Sequence, residues 1–286
     1  MRRVSNTFST AGSIQGFTLI EMIISIVITG IIVSMVAMFG RQQIDAYLDV
    51  GNRAELADAA DTALRRIARD LQGALPNSVR VDGAGKILEF VPIVDAGRYR
   101  AALSNTGTGD ILDFSSTSDN SFDVLGPQVR IPVAITPVDR SYLVVYNTGQ
   151  QGADVYAGTN RRSITTAAGS VSNISYQLAA APNQQFPFAS PQSRFQIVQQ
   201  PVSYVCDTIS GMIVRRTGYD FIATQPTDFS TLGGTSNILV TDVSDCVFTY
   251  TPAVLQRNGL AVLRLTLTRN GESVQLLHQV EILNTP

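Results

Sequence analysis

Few side chains in this sequence could do chemistry. There is one histidine, His278, and there are two cysteines, Cys206 and Cys246. A single histidine removes His-pair metal centres and makes a His-dependent triad hard to build. His278 stands in a run with strand character, where a structural role is the expectation. The patterns GxSxG and HExxH do not occur, and neither does a phosphate-cradling glycine loop. Two acid pairs, Asp110 with Asp113 and Asp242 with Asp245, offer oxygen ligands for calcium. They lack the spacing of an EF-hand loop, and solvated acids are the simpler reading. The expectation is a protein that is not an enzyme and uses no cofactor and no metal.

The cysteines have no CxxC spacing. With an export-type N-terminus, described next, they suggest one Cys206–Cys246 disulfide in an oxidising compartment. Two buried free thiols are the other reading.

One acid stands where an acid is costly. From Phe17 to Gly40 the sequence reads FTLIEMIISIVITGIIVSMVAMFG, and Glu21 is its only charge. At about 1.5 Å per residue, a helix of this length crosses a hydrocarbon core of about 30 Å. Arg2 and Arg3 precede it, which places the leader on the cytoplasmic side. A secretory signal would end in a pair of small residues, and Met35, Val36, Ala37 and Met38 do not supply one. A plain signal anchor fits the composition but leaves Glu21 unexplained. An acid in a membrane helix costs about 2.5 kcal/mol or more at mid-bilayer, and less near the interface, where it reaches water.

The string Gly16-Phe17-Thr18-Leu19-Ile20-Glu21 resembles the processing motif of type IV prepilins and type II secretion pseudopilins. That resemblance implies cleavage between Gly16 and Phe17 by a prepilin peptidase, methylation of the new Phe17 amine, and Glu21 as the fifth residue of the mature chain. It also implies a docking role for Glu21, whose carboxylate would pair with the Phe17 amine of an adjacent subunit. Opposite charges attract strongly in a low-dielectric bundle. Gly30 fits the family pattern, whereas Met38 stands where many major pilins carry proline.

The rest of the chain must carry this N-terminus. Of its 286 residues 44% are apolar and only 15% charged, against about 25% in an ordinary domain. The net charge of -2, without a basic patch, excludes nucleic-acid binding through phosphate neutralisation. From Arg41 to Gln72 there is no proline, and Ile44, Tyr47, Leu48, Leu56, Ala60, Leu64, Ile67 and Leu71 recur at helical spacing. Gly73 and Pro76 supply the stop. The predicted division is a leader over 1–16, a transmembrane helix over 17–40, an amphipathic half-helix over 41–75 and a β-rich periplasmic domain over 76–286. That is an α+β class, the lollipop layout of pilins.

Beyond Ser78 short β-like runs alternate with Gly, Pro, Asn and Asp. The clearest is a hairpin closed by Asn270-Gly271, and a second joins Val202–Cys206 to Met212–Arg216. Two stretches, about 95–123 and 149–193, read as loop-rich, either partner-facing or decorative.

Pro201–Cys206 with Gly211–Arg216 looks like the core of larger minor pilins and pseudopilins of the J or W type. The segments Arg66–Arg80 and Leu277–Pro286 resemble minor pilins of the mannose-sensitive haemagglutinin pilus. The resemblance implies a low-abundance subunit that helps start or support filament assembly at the bacterial inner membrane, near the tip. Its partners would be other major and minor pilins, the prepilin peptidase and the inner-membrane assembly platform. Two alternatives stay open: a J-type pseudopilin of a secretion system, and an adhesin displayed on a filament tip.

Overall fold

The computed structural model describes residues 16–134, 140–179, 185–252 and 258–283. The leader up to Gln15, the Pro182–Gln184 part of the second loop stretch and the ending Asn284–Pro286 lie outside the described residues. The chain divides into two compact units, Met1–Gly51 and Asn52–Pro286.

One helix, α1, spans Leu19–Gln72. It has no proline, and its second half is rich in alanine, the best helix former. It ends at Gly73, whose N–H donates to the Asp70 carbonyl at 3.2 Å. In the second unit Leu56, Ala60, Leu64, Ile67 and Leu71 are buried, each 2% exposed or less. Burial of each large aliphatic side chain among them stabilises by about 1.5–3 kcal/mol. The apolar stripe expected to begin at Ile44 is therefore shorter. Ile44, Tyr47 and Leu48 are exposed, and the covered face begins at Leu56, where strands supply apolar partners.

Sixteen strands follow among the described residues. In chain order they are β1 Arg80–Val81, β2 Ile87–Phe90, β3 Ile93–Tyr99, β4 Ser121–Leu125, β5 Val129–Ile131, β6 Tyr142–Val144, β7 Arg161–Ser163 and β8 Gly169–Val171. Then come β9 Asn173–Ser175, β10 Arg194–Val198, β11 Val202–Asp207, β12 Met212–Thr217, β13 Thr235–Val240, β14 Val243–Thr251, β15 Gly259–Arg269 and β16 Glu272–Ile282. All pairings are antiparallel, so the class is α+β, a long apolar N-terminal helix with its C-terminal half packed on an antiparallel β-rich domain.

A five-stranded sheet in the order β1-β2-β11-β12-β13 and a three-stranded sheet β14-β15-β16 share one core with the helix face. Leu88, Tyr204, Ile213, Phe248, Leu263 and Leu265 meet Leu64 and Ile67 there. A six-stranded sheet, β7-β6-β10-β3-β4-β9, has a separate core around Phe122, Tyr176, Phe195 and Ile197.

Both predicted hairpins form. Arg269 pairs with Glu272 across a two-residue turn in which Asn270 and Gly271 have φ of 52° and 84°. Two positive φ values define the type I′ turn that Asn-Gly favours. The stretches 95–123 and 149–193 are not simple loops. They hold most of β3, the start of β4, and all of β7, β8 and β9. These strands are rich in Arg, Ser, Asn and Gly, and pairing rather than intrinsic propensity keeps them extended.

Candidate processing site and apolar helix

Gly16, Phe17 and Thr18 precede the first helical turn and are exposed, so the Gly16–Phe17 peptide bond lies outside α1. Thr18 holds the N-cap position. Its Oγ1 accepts the Glu21 N–H at 3.3 Å, and its hydroxyl points back to Glu21 Oε2 at 3.5 Å. A Thr at the cap with Glu three residues on has the spacing of a capping box, and here the Thr18-to-Glu21 N–H half of it forms. The Glu21 carboxylate also sits at the positive end of the helix dipole. Sequence reasoning missed Thr18, although the Thr-x-x-Glu spacing signals it.

Glu21 enters no ion pair among the described residues, and its partner is the Thr18 hydroxyl. Around it the helix is apolar on every side. Phe17, Leu19, Ile20, Met22, Ile26, Val33 and Phe39 are all exposed. Within this all-apolar surface Ser25 and Ser34 return their hydroxyls to the backbone carbonyls of Glu21 and Ile31, at 2.8 and 2.9 Å. The helix is long and apolar enough to cross a membrane. A side chain at Gly30 would meet nothing within 4 Å.

Cys206 on β11 and Cys246 on β14 are bonded as a disulfide, with their Cα atoms 6.3 Å apart. Both are buried in the core shared with the helix. The bond ties the five-stranded sheet to the three-stranded one. Beside it Lys86 Nζ donates to Asp245 Oδ1 at 2.9 Å and to the Cys246 carbonyl at 2.6 Å. The Lys86 ammonium holds the Asp245 carboxyl below the usual carboxylate range.

The acid pairs considered for calcium have other partners. Asp245 also faces Arg264, while Asp242 lies near Arg269. Asp110 accepts Asn173 Nδ2 at 3.0 Å, and Asp113 accepts the Ser115 hydroxyl at 2.6 Å. No cluster of three His, Cys, Asp or Glu side chains able to hold a metal occurs among the described residues. His278 is half-buried on β16, opposite Leu263.

Two further polar sites stand out, the first without sequence signal and the second within the loop-rich stretches 95–123 and 149–193. Glu89 on β2 is fully buried, and its Oε2 accepts Arg80 Nε at 2.6 Å while Oε1 accepts the Tyr219 hydroxyl at 2.8 Å. Burial pushes this carboxyl above its ordinary pKa, against the opposing pull of Arg80 and Tyr219. Arg80 also donates to the carbonyls of Ile222 and Ala223 and lies 3.5 Å over the Tyr156 ring. The residues that complete the site are brought together only by the fold.

The second site is a cavity of about 570 Å3 beside the six-stranded sheet, lined in part by Phe114, Ser116, Thr159, Arg162 and Phe186. Arg162 directs its guanidinium to the carbonyls of Thr159, Arg161 and Gln185.

No curated protein and no solved structure matches the chain. Residues 13–37 match the model of the prokaryotic N-terminal methylation motif. That match covers the Gly16–Phe17 bond, the Thr18 cap, Glu21 and most of the exposed apolar helix, so the N-terminal segment of this chain is that of a type IV pilin-like protein.

Proposed function

We propose that this chain is a minor pilin, a structural subunit that helps initiate or support assembly of a type IV pilus of the mannose-sensitive haemagglutinin type. The protein it resembles is MshO. In this reading the chain is a precursor cut between Gly16 and Phe17 and methylated at Phe17. It sits as a single-pass protein in the inner membrane, with the β-rich part periplasmic and a place near the filament tip. It works through contact with other pilins and the assembly platform and catalyses nothing.

The observation that carries this reading is the exposed, non-helical Gly16–Phe17 bond directly before a capped apolar helix, inside the matched methylation motif. A peptidase needs its scissile bond extended and accessible, and a helix would bury the backbone groups of that bond in its own hydrogen bonds. Glu21 supports the docking role, because no cation of its own chain pairs with it among the described residues.

The test is intact mass and N-terminal sequencing of the membrane-derived protein, from cells with and without the prepilin peptidase. The expected product starts at Phe17 and carries one added methyl group. A chain still starting at Met1 in cells that hold the peptidase would overturn the reading. The pilus assignment is tested separately, by deleting the chain and measuring both surface piliation and secretion. Loss of secretion with normal piliation would make it a pseudopilin.

A further inference from the structure

In the five-stranded sheet β2 pairs directly with β11, in the register Phe90↔Val202, Ser203↔Glu89, Tyr204↔Leu88 and Val205↔Ile87. These strands are neighbours in space, yet more than a third of the chain separates Phe90 from Val202. The intervening chain thus leaves the sheet and returns to it at a single rung. Among the described residues its strands, β3 to β10, form the six-stranded sheet and the β5–β8 pair. None of these strands enters the two sheets that pack on the helix, and no described strand from outside enters theirs.

The cores divide in the same way. Phe122, Tyr176, Phe195 and Ile197 belong to a cluster built wholly from the segment. The cluster around Leu64, Tyr204, Phe248 and Leu265 has no residue from it. The ion pair Arg100–Asp123 lies inside the segment, while Arg80–Glu89, Lys86–Asp245 and Arg215–Asp70 lie outside it. The disulfide is also outside.

Between the two runs a seam, in which Phe221 packs against Tyr142 and under Arg161, and Arg80 lies over the Tyr156 ring. Leu75 and Val91 meet Tyr142, Val144, Val155 and Val198. Asn147 Nδ2 donates to the Pro76 carbonyl at 2.7 Å, and the Tyr156 hydroxyl donates to the Ser78 carbonyl at 2.8 Å.

We infer that Ile93–Val198 is an inserted module with its own core, set into the sheet that packs on the helix between two directly paired strands. Membrane anchoring, processing and helix docking need none of its residues. The part of this inference that concerns processing rests on the prepilin reading; the part that concerns folding does not.

Two experiments test it. Hydrogen exchange on the intact, detergent-solubilised chain is expected to show two cooperative units, with amides of 93–198 opening at a different free energy from those of β11, β12 and β14–β16. A single unit spanning both would overturn the inference. In the second experiment Val91–Pro201 is replaced by Asn-Gly, so that Phe90 and Val202 flank a two-residue turn. The shortened chain is expected to stay in the membrane fraction, to resist protease and to keep Cys206 and Cys246 unreactive to alkylation without reductant. Reactive thiols and protease sensitivity would overturn the inference. A protected disulfide in a chain that is not cut at Gly16 would instead count against the prepilin reading alone.

Discussion

The Tyr204 hydroxyl on β11 donates a hydrogen bond to Asp70 Oδ2 on α1 at 2.8 Å, and the same oxygen accepts Arg215 Nε of β12 at 3.0 Å. One helix carboxylate thus receives two neighbouring strands at once. The Tyr204 ring is fully buried, and burial raises the pKa of its hydroxyl, so it remains a proton donor across the physiological range. Arg66 completes the cluster from one helical turn earlier, at 3.4 Å.

Tyr204→Phe removes one donor and keeps the packing. It is expected to lower stability by about 1 kcal/mol, the net worth of an ordinary hydrogen bond. Asp70→Ala strands both Tyr204 and Arg215 and is expected to cost about 2–3 kcal/mol. Urea unfolding of the two variants measures both. Equal losses would mean that the carboxylate contributes no more than the tyrosine contact.

Cys206→Ser with Cys246→Ser opens a covalent loop with a sequence separation of 40. In the chain-entropy model such a loop contributes about 3–4 kcal/mol, so the double variant should unfold at clearly lower denaturant. Both residues are buried, and the comparison is best made against the single variants to separate lost bonding from repacking.

Glu89 gives stability a pH dependence of a particular sign. Its folded pKa is raised by burial, so the folded chain holds this proton more tightly than the unfolded one. Its contribution is fully present below the ordinary carboxylate pKa and is lost as pH rises through the folded value. Asp245 has the opposite sign, because Lys86 lowers its pKa, and its contribution is lost as pH falls. Glu89→Gln is expected to flatten the decline above the ordinary carboxylate pKa while leaving the acid limb in place. An unchanged decline in the variant would assign it to another group. Arg80→Ala, which leaves the Glu89 carboxylate buried without its cation, should cost about 3–5 kcal/mol at neutral pH.

Glu21→Ala should leave cleavage at Gly16 intact and impair incorporation into filaments, because the carboxylate has no ion-pair partner of its own chain among the described residues. Thr18 can still cap the Glu21 N–H in this variant, so the helix start is preserved. Immunoblotting of the membrane and sheared-filament fractions separates the two effects. Normal incorporation would remove Glu21 from subunit docking.

Much of the fold was legible because its signals are local. The Leu56–Leu71 stripe repeats at helical spacing, and Asn270-Gly271 announces its turn whatever surrounds it. The apolar run after Gly16 reads the same way in any context. β3 was not legible. It carries Asp95, Gly97 and Arg98, and it is a strand because β10 pairs with it over Arg194–Val198. At Gly97 an added Cβ would come within 2.8 Å of the Phe195 ring, so the glycine that weakens the local signal is what lets the aromatic lie across the strand. The polar network at Glu89 was hidden for a related reason. Arg80, Glu89, Ser203 and Tyr219 meet only when β1, β2, β11 and the turn after β12 are assembled.

The rung between Phe90 and Val202 also sets an order in time. A chain delivered N-terminus first presents β2 long before β11, and contacts between residues far apart in sequence are slow to form. During that wait the apolar side of β2 and the helix face from Leu56 to Leu71 have no sheet to close over them. The segment that causes the delay can bury its own aromatic residues meanwhile. Once that segment is folded its two ends lie side by side, so the final step is the meeting of two strands already held close. Only the later pairing of β11 with β2, and the bond between Cys206 and Cys246, close the sheets over that helix face.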